Sequence, residues 1–440
     1  MSEAFTARRI ALSKQTFAAL AIPNFRRYFA GQAISLSGTW MQSVAQSWLI
    51  FKLTGSATDV GWAVALQTLP VLVLGPYGGV VADRVDKRKL MMVLQSMMGV
   101  LALALGLLVV TNHVHVWEVF ALAFLLGLNN CFENPARQSF VLEMVGAKDL
   151  RNAVSLNSTM VNASRAVGAA IAGLIIAAGG IGFCFLFNAA SFIAVVYSLA
   201  SMDLSALRPT PPTHRSKGQL REGVRYAAST AVIGVPLVMM ALVGCLAYEF
   251  QVVLPALAKT FHGGGATFGF LTASMAVGAI AGGLYTAARG RTGTRAMVTS
   301  SAVFGVVLLL ASAAPTLPLE IVAMLAVGAA SVSFLSKGNS SLQLAAAPQM
   351  RGRVMALWAV AFMGSTPIGG PIAGAVSEYF GARWGLVLGA SACLVAAAFG
   401  ALVLRRITSR DVEGALDSER LGSGDVEALN PLRAEALQGQ

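Results

Sequence analysis

The chain has 440 residues, of which 56% are hydrophobic and 12% charged, where ordinary soluble proteins carry roughly 25% charged residues. So little polar surface excludes a solution protein and points to an all-α integral membrane protein whose solvent is the lipid bilayer. The net charge of +12 does not indicate nucleic acid, because the charges are scattered between apolar segments and form no basic stripe with stacking aromatics. Cys131, Cys184, Cys245 and Cys393 each fall inside an apolar segment, without the spacing of a disulfide framework or a zinc site. His113 and His115 share a short loop with no third ligand in view, so neither a metal nor a cofactor is expected.

In chain order, the opening MSEAFTARRIALSKQTF is basic but has no apolar core or small-residue cleavage site, so the first span is expected to be retained. Apolar segments of the roughly 20 residues needed to cross a bilayer follow at 28–51, 60–81, 90–110, 116–131, 153–178 and 183–200. A polar stretch over 203–226 intervenes, and six more segments lie at 232–258, 268–288, 296–314, 319–343, 354–376 and 384–404. The pattern predicts about twelve transmembrane helices in two six-helix halves, 1–200 and 232–406, joined by a cytoplasmic central loop, 201–231, and followed by a flexible cytoplasmic tail, 407–440. Leu220, Val224 and Ala227 mark the central loop either as a surface-lying amphipathic helix or as a solvated linker.

Basic residues set the orientation, since short loops rich in Lys and Arg stay on the cytoplasmic side. With both termini inside, all but four of the 32 Lys and Arg residues fall on that side. The exceptions are Lys52, Lys259 and Arg383 on the far side and Arg165 within a span. In the first span, Gln32, Ser35, Thr39, Gln42 and Gln46 recur at intervals of three and four, which places all five on one helical face. Such a face disfavours lipid and suits a water-filled cavity.

The loop between the second and third spans reads Gly79-Val-Val-Ala-Asp83-Arg84-Val-Asp86-Lys87-Arg88-Lys89. It resembles the signature loop of the major facilitator superfamily, with Asp86 standing where that family usually has glycine. The stretch Gly127-Leu-Asn-Asn-Cys-Phe-Glu133-Asn-Pro135-Ala-Arg137-Gln138 and the Pro367-Ile-Gly-Gly370-Pro371 run resemble the enterobactin-exporter-like, drug:proton antiporter branch. Gly168-Ala169 departs from the Gly-Pro of the exporter motif. The resemblance implies a cytoplasmic latch of Gly79, Asp83, Arg84, Lys87, Arg88 and Glu133, with Glu133 meeting Lys87 or Arg88. It also implies a substrate cavity lined by Gln32, Ser35, Thr39, Gln42 and Gln46, with Asn129, Asn130, Arg165, Tyr248 and Ser333.

Ionisable groups inside spans are costly, about 2.5–3.5 kcal/mol at a helix centre on insertion scales, and each needs a reason. Glu249 and Lys337 are the candidates for proton coupling. Arg165 suits either an acidic substrate or a structural ion pair, and Asp59 a helix cap. No HExxH, GxSxG or phosphate-cradling GKS/T sequence is present, so neither an enzyme nor an ATP-driven pump is expected. The expected function is proton-coupled export of a small amphipathic organic compound, such as a siderophore, macrolide or other drug, by a monomer in a bacterial cytoplasmic membrane. An importer on the same fold and a non-transporting sensor are the alternatives. The topology is tested by Ser216→Cys in a cysteine-free background. An impermeant maleimide added to intact cells is expected to leave it unlabelled, and efficient labelling reverses the orientation.

Overall fold

The computed structural model describes residues 17–208, 219–289, 292–347 and 349–420 and contains no strand among them. Its first six helices are α1 (Pro23–Thr54), α2 (Ala57–Arg84), α3 (Lys87–Val110), α4 (Val116–Leu150), α5 (Asn152–Ala177) and α6 (Ile181–Ala200). A short α7 (Gln219–Ser229) leads into α8 (Ala231–Leu246), α9 (Phe250–Thr260), α10 (Gly265–Arg289), α11 (Thr294–Ser312) and α12 (Leu317–Ala345). The bundle closes with α13 (Arg351–Met363), α14 (Thr366–Tyr379) and α15 (Ala382–Arg420).

Local chemistry sets the helix ends. Ser56 caps α2 by accepting from the Asp59 amide, and Asp86 caps α3 by accepting from the Lys89 amide, each at 3.0 Å. Capping by such side chains is worth about 1 kcal/mol. Gly55, at φ 71°, ends α1 in the left-handed region that glycine adopts freely. Gly146, also at φ 71°, kinks the last part of α4, ahead of α5.

Ten segments among the described residues are long and apolar enough to cross a bilayer, α13 and α14 together forming one of them. The other two expected spans are α1 and the α8–α9 pair. The first is 32 residues long but diluted by its polar ladder. The second is interrupted at Ala247-Tyr248-Glu249, where an unbroken span is expected from sequence. The expected tail from 407 begins inside α15, which runs on to Arg420; residues 421–440 lie outside the described residues. Leu220 belongs to α7, with its side chain outside the described residues, while Ala227 is buried and Val224 half exposed. That helix is bent by 106° from α8 and is held to α13 by the Glu222–Arg353 ion pair at 2.6 Å.

Lys and Arg gather at one end of the bundle, the basic end, where α1 starts, α2 meets α3 and α6 finishes. The carbonyls that end α6 have no partners within their own helix. Arg88 donates to Leu199 and Ala200, Arg27 donates to Ser201, and Asn24 exchanges two bonds with the Asp203 backbone. Cations at a helix C-terminus also favour the helix dipole. Asp203 itself accepts from the amide and hydroxyl of Ser205, which holds its carboxyl below the usual carboxylate range.

Small residues allow the helices to approach closely. Within the first half, α1 packs on α5 and α6, and α3 packs on α6; within the second, α10 packs on α12 and α11 on α15. Between the halves, Gly61 of α2 meets Gly370 of α14, Gly374 meets Ala57 and Thr58, and Gly173 of α5 meets Ala266 and Gly269 of α10. Among the described residues, the glycine contacts that join the halves run from the far end to mid-bundle, where Gly364 meets Leu72. A methyl group added at Gly278 or Gly328 would strike the carbonyl of Leu325 or Met275. Alanine at either position is expected to destabilise by about 1–3 kcal/mol, read as a lower thermal midpoint in detergent. Gly75→Ala, whose methyl meets nothing within 4 Å, is not expected to lower it.

Candidate functional site

At the basic end, the α2–α3 loop is fastened by a buried ion pair. Lys87 is drawn inward, with its Nζ 2.7 Å from Oε1 of Glu143 on α4 and both side chains under 10% exposed. Glu143, which sequence reasoning missed, is therefore the acid that meets the loop. Glu133 makes neither of its expected contacts with Lys87 or Arg88. It lies one turn before Arg137 on the same helix and pairs with that guanidinium at 3.1 Å, while accepting from Gln95 of α3 at 3.3 Å. Arg88 is turned toward the end of α6, and Arg84 is exposed. Gly79 and Asp83 lie in α2, with side chains outside the described residues.

In the middle of the bundle, the polar ladder of α1 is buried at Gln32, Ser35, Gln42 and Gln46 and half-buried at Thr39. One rung joins helices, Gln42 accepting from Asn188 of α6 at 2.6 Å, while Thr39 donates back to the Ser35 carbonyl of its own helix. Asn129 donates to the Leu94 carbonyl of α3, and Asn130 beside it is half-buried. Ser333 accepts from Thr286 of α10, and Lys337 donates to Ser300 of α11 at 2.7 Å. These bonds turn several predicted cavity residues toward neighbouring helices.

Three predicted residues converge where the halves meet. Arg165 of α5 lays its guanidinium over the Trp40 ring of α1, 4.4 Å from the centroid. Gly168 gives that approach its room, since it sits against Ser37, Trp40 and Met41. Tyr248, in the gap between α8 and α9, lies within the electrostatic reach of Arg165. Its hydroxyl donates to the Ser331 carbonyl at 2.7 Å, and its ring meets Phe304 and Phe362 edge-on.

Glu249 follows directly. It is the residue before α9, only 4% exposed, with Oε1 buried and without a hydrogen-bond partner. The break it occupies faces the break between α13 and α14. There the Ser365 carbonyl accepts weakly from Cys245, Gly369 sits on the Cys245 carbonyl, and Thr366 bonds the Glu249 carboxyl. Gly370, at the seam with α2, lies beside its other oxygen. Glu249 thus lies at the junction of two interrupted spans and the inter-half seam, an arrangement typical of ion and substrate sites in transporters.

At the far end, Glu378 of α14 reaches across the seam to the start of α2. Its Oε2 accepts from the Ser56 hydroxyl at 2.6 Å and from the Thr58 amide at 3.0 Å, a carboxylate on a helix N-terminus. A cavity of about 260 Å³ adjoins this tie and is lined by Phe51, Lys259 and Glu378 among others. Glu320 of α12 is fully buried with both carboxyl oxygens unpartnered, near Arg383, which donates to carbonyls at the end of α11. Neither acid is singled out by sequence spacing; the available signal is the place of Glu320 inside an apolar segment and of Glu378 just beyond the end of one.

A twelve-span bundle of two halves, with broken helices meeting mid-bundle, defines a transporter of the major facilitator superfamily rather than an enzyme. Residues 14–428 match the family described as transmembrane secretion effector, and the chain belongs to it. The chain is similar to the transporter YfiS of Bacillus subtilis, at 31% identity over 45% of this chain and 47% of that one. It also resembles the enterobactin exporter EntS of Escherichia coli O1:K1, at 27% identity over 60% of this chain and 62% of that one. The matched stretches thus span about half to three-fifths of these relatives.

Solved structures share the fold. The nucleoside transporter NupG superposes with a TM-score of 0.69 at 12% identity, covering 87% of this chain and 99% of its own. An inward-facing bacterial homologue of the lysosomal transporter Spinster gives 0.69 at 13% identity, covering 87% and 97%.

The buried pair at the basic end gives a direct test. Glu143→Leu is expected to cost about 3–5 kcal/mol by leaving Lys87 buried without its acid. Adding Lys87→Met to that variant is expected to recover most of the loss, as measured by thermal unfolding in detergent.

Proposed function

We propose that the chain is a proton-coupled exporter of a small amphipathic organic compound in a bacterial cytoplasmic membrane. It works as a monomer with both termini inside, by rocking its two halves about a central site. The observation that carries coupling is Glu249, a buried carboxyl at the break between α8 and α9, beside the seam where Gly61 and Gly370 meet. No Lys or Arg of a described residue forms an ion pair with it. The titratable group within its field is the Cys245 thiol, and Lys337 is engaged with Ser300. Without a counter-charge, the water content around Glu249 decides whether it holds a proton, and that content changes as the halves part.

The contacts support a state closed at the far end. Gly61, Gly173, Gly370 and Gly374, together with the Glu378 tie, hold the halves together there. With the basic end inside, closure at the far end leaves the cytoplasmic side as the one on which the halves part, the side from which an exporter loads. Export is further supported by the relatives named as exporters. Glu249→Gln, which keeps the shape of the protonated acid, is expected to abolish efflux driven by an imposed pH gradient in proteoliposomes while substrate binding stays measurable. Efflux by that variant with an unchanged pH dependence refutes the assignment.

A further inference from the structure

Arg165 is the one arginine inside a predicted span, as Lys337 is the one lysine. Among the described residues no carboxylate forms an ion pair with it. Its Nε is buried and makes no hydrogen bond, while the residue as a whole is half-buried. Aromatic groups lie against it instead: Trp40 beneath the guanidinium and Tyr248 from the other half. A buried cation normally persists because a partner compensates it. Here no carboxylate among the described residues compensates it.

From this geometry we infer that Arg165 and Trp40 form the recognition site for the negative charge of the transported solute, and that the solute is a flat aromatic organic anion. Stacking on Trp40 occupies the face of the guanidinium. Its N–H edge remains suited to a bidentate grip on two oxygens of a carboxylate or a similar acid. Tyr248 spends its hydroxyl proton on the Ser331 carbonyl, so it offers the site an oxygen acceptor and a ring rather than a second donor. Phe304, wholly buried, and Phe362 pack edge-on against that ring and fix it in place.

The position fits a site that both halves sense. Arg165 lies eight residues before Gly173, about 12 Å along the helix, on the basic side of the seam formed by Gly173 and Gly269. A ligand held by Arg165 and Trp40 from one half and by Tyr248 from the other is gripped differently as the halves part, which is what allows it to shift their equilibrium.

This inference rests on reading the chain as a transporter with its site between the halves. The test uses the purified full-length protein with two xanthene dyes of similar shape and opposite charge, fluorescein and rhodamine 123, followed by fluorescence anisotropy. The wild type is expected to bind fluorescein at least about tenfold more tightly than rhodamine 123. Arg165→Gln is expected to weaken fluorescein by about tenfold or more, as loss of a charge-assisted bond does. Arg165→Lys, which keeps the charge without the fork, is expected to fall between.

No binding of fluorescein by the wild type, equal or tighter binding of rhodamine 123, or an unchanged fluorescein affinity in Arg165→Gln each overturns the inference. The dye comparison in the wild type needs no variant to fold. Arg165-dependent binding without movement of fluorescein in proteoliposomes refutes the transport reading while the anion site stands. Gradient-driven movement of rhodamine 123 alone supports transport and overturns the anion site.

Discussion

A bilayer offers its occupants no hydrogen bonds and almost no solvation for charge, and every polar atom in this bundle answers to that constraint. At the basic end the answer is pairing: Lys87 with Glu143, Glu133 with Arg137, and Arg27, Arg88 and Asn24 on the carbonyls that finish α6. In the middle, polar side chains of α1, α4 and α12 bond to adjacent helices. Other groups keep a buried atom without a hydrogen bond, among them Gln32, Glu320, Arg165 and Glu249. Arg165 and Glu249 sit on opposite sides of the junction between the halves, one without an acid and the other without a base.

The second constraint is distance. Helices that bond little to one another gain from van der Waals contact, and contact at backbone range requires glycine. Within each half this contact is permanent, as at Gly278 with Leu325 or Gly127 with Gln67. Across the seam the same chemistry works between surfaces that the proposed transport cycle separates. Gly61 against Gly370 and Gly173 against Gly269 form shallow, side-chain-free contacts, which part with no interdigitated side chains to withdraw. Glu378 supplies the directional element, a carboxylate of one half placed on the helix N-terminus of the other.

Much of this was legible in the sequence because membrane helices announce themselves by length and apolarity. Ten of the twelve expected spans meet that criterion in the structure, and the Asp83-Arg84 loop marked the family. Residue roles were less legible. Glu133 and Glu143 lie ten positions apart in one apolar stretch, and sequence cannot say which of them Lys87 reaches. The gap at Tyr248 carries no glycine or proline, since it is set by tertiary contacts: the hydroxyl on Ser331 and the press of Gly369 on Cys245. At Gly364-Ser365-Thr366-Pro367 a local signal was present, because proline cannot donate to the preceding turn.

The polarity of α1 also bears on how the protein is assembled. It is the first of the described spans to leave the ribosome, yet it is among the least suited to lipid. The amide that satisfies Gln42 belongs to Asn188, 146 positions further on. Between those two moments the helix must be sheltered, by the insertion machinery or by the helices that follow it, with its ladder unsatisfied. Gln42 gains that partner only once α6 has been made, so this part of the first half is completed as a unit rather than one span at a time.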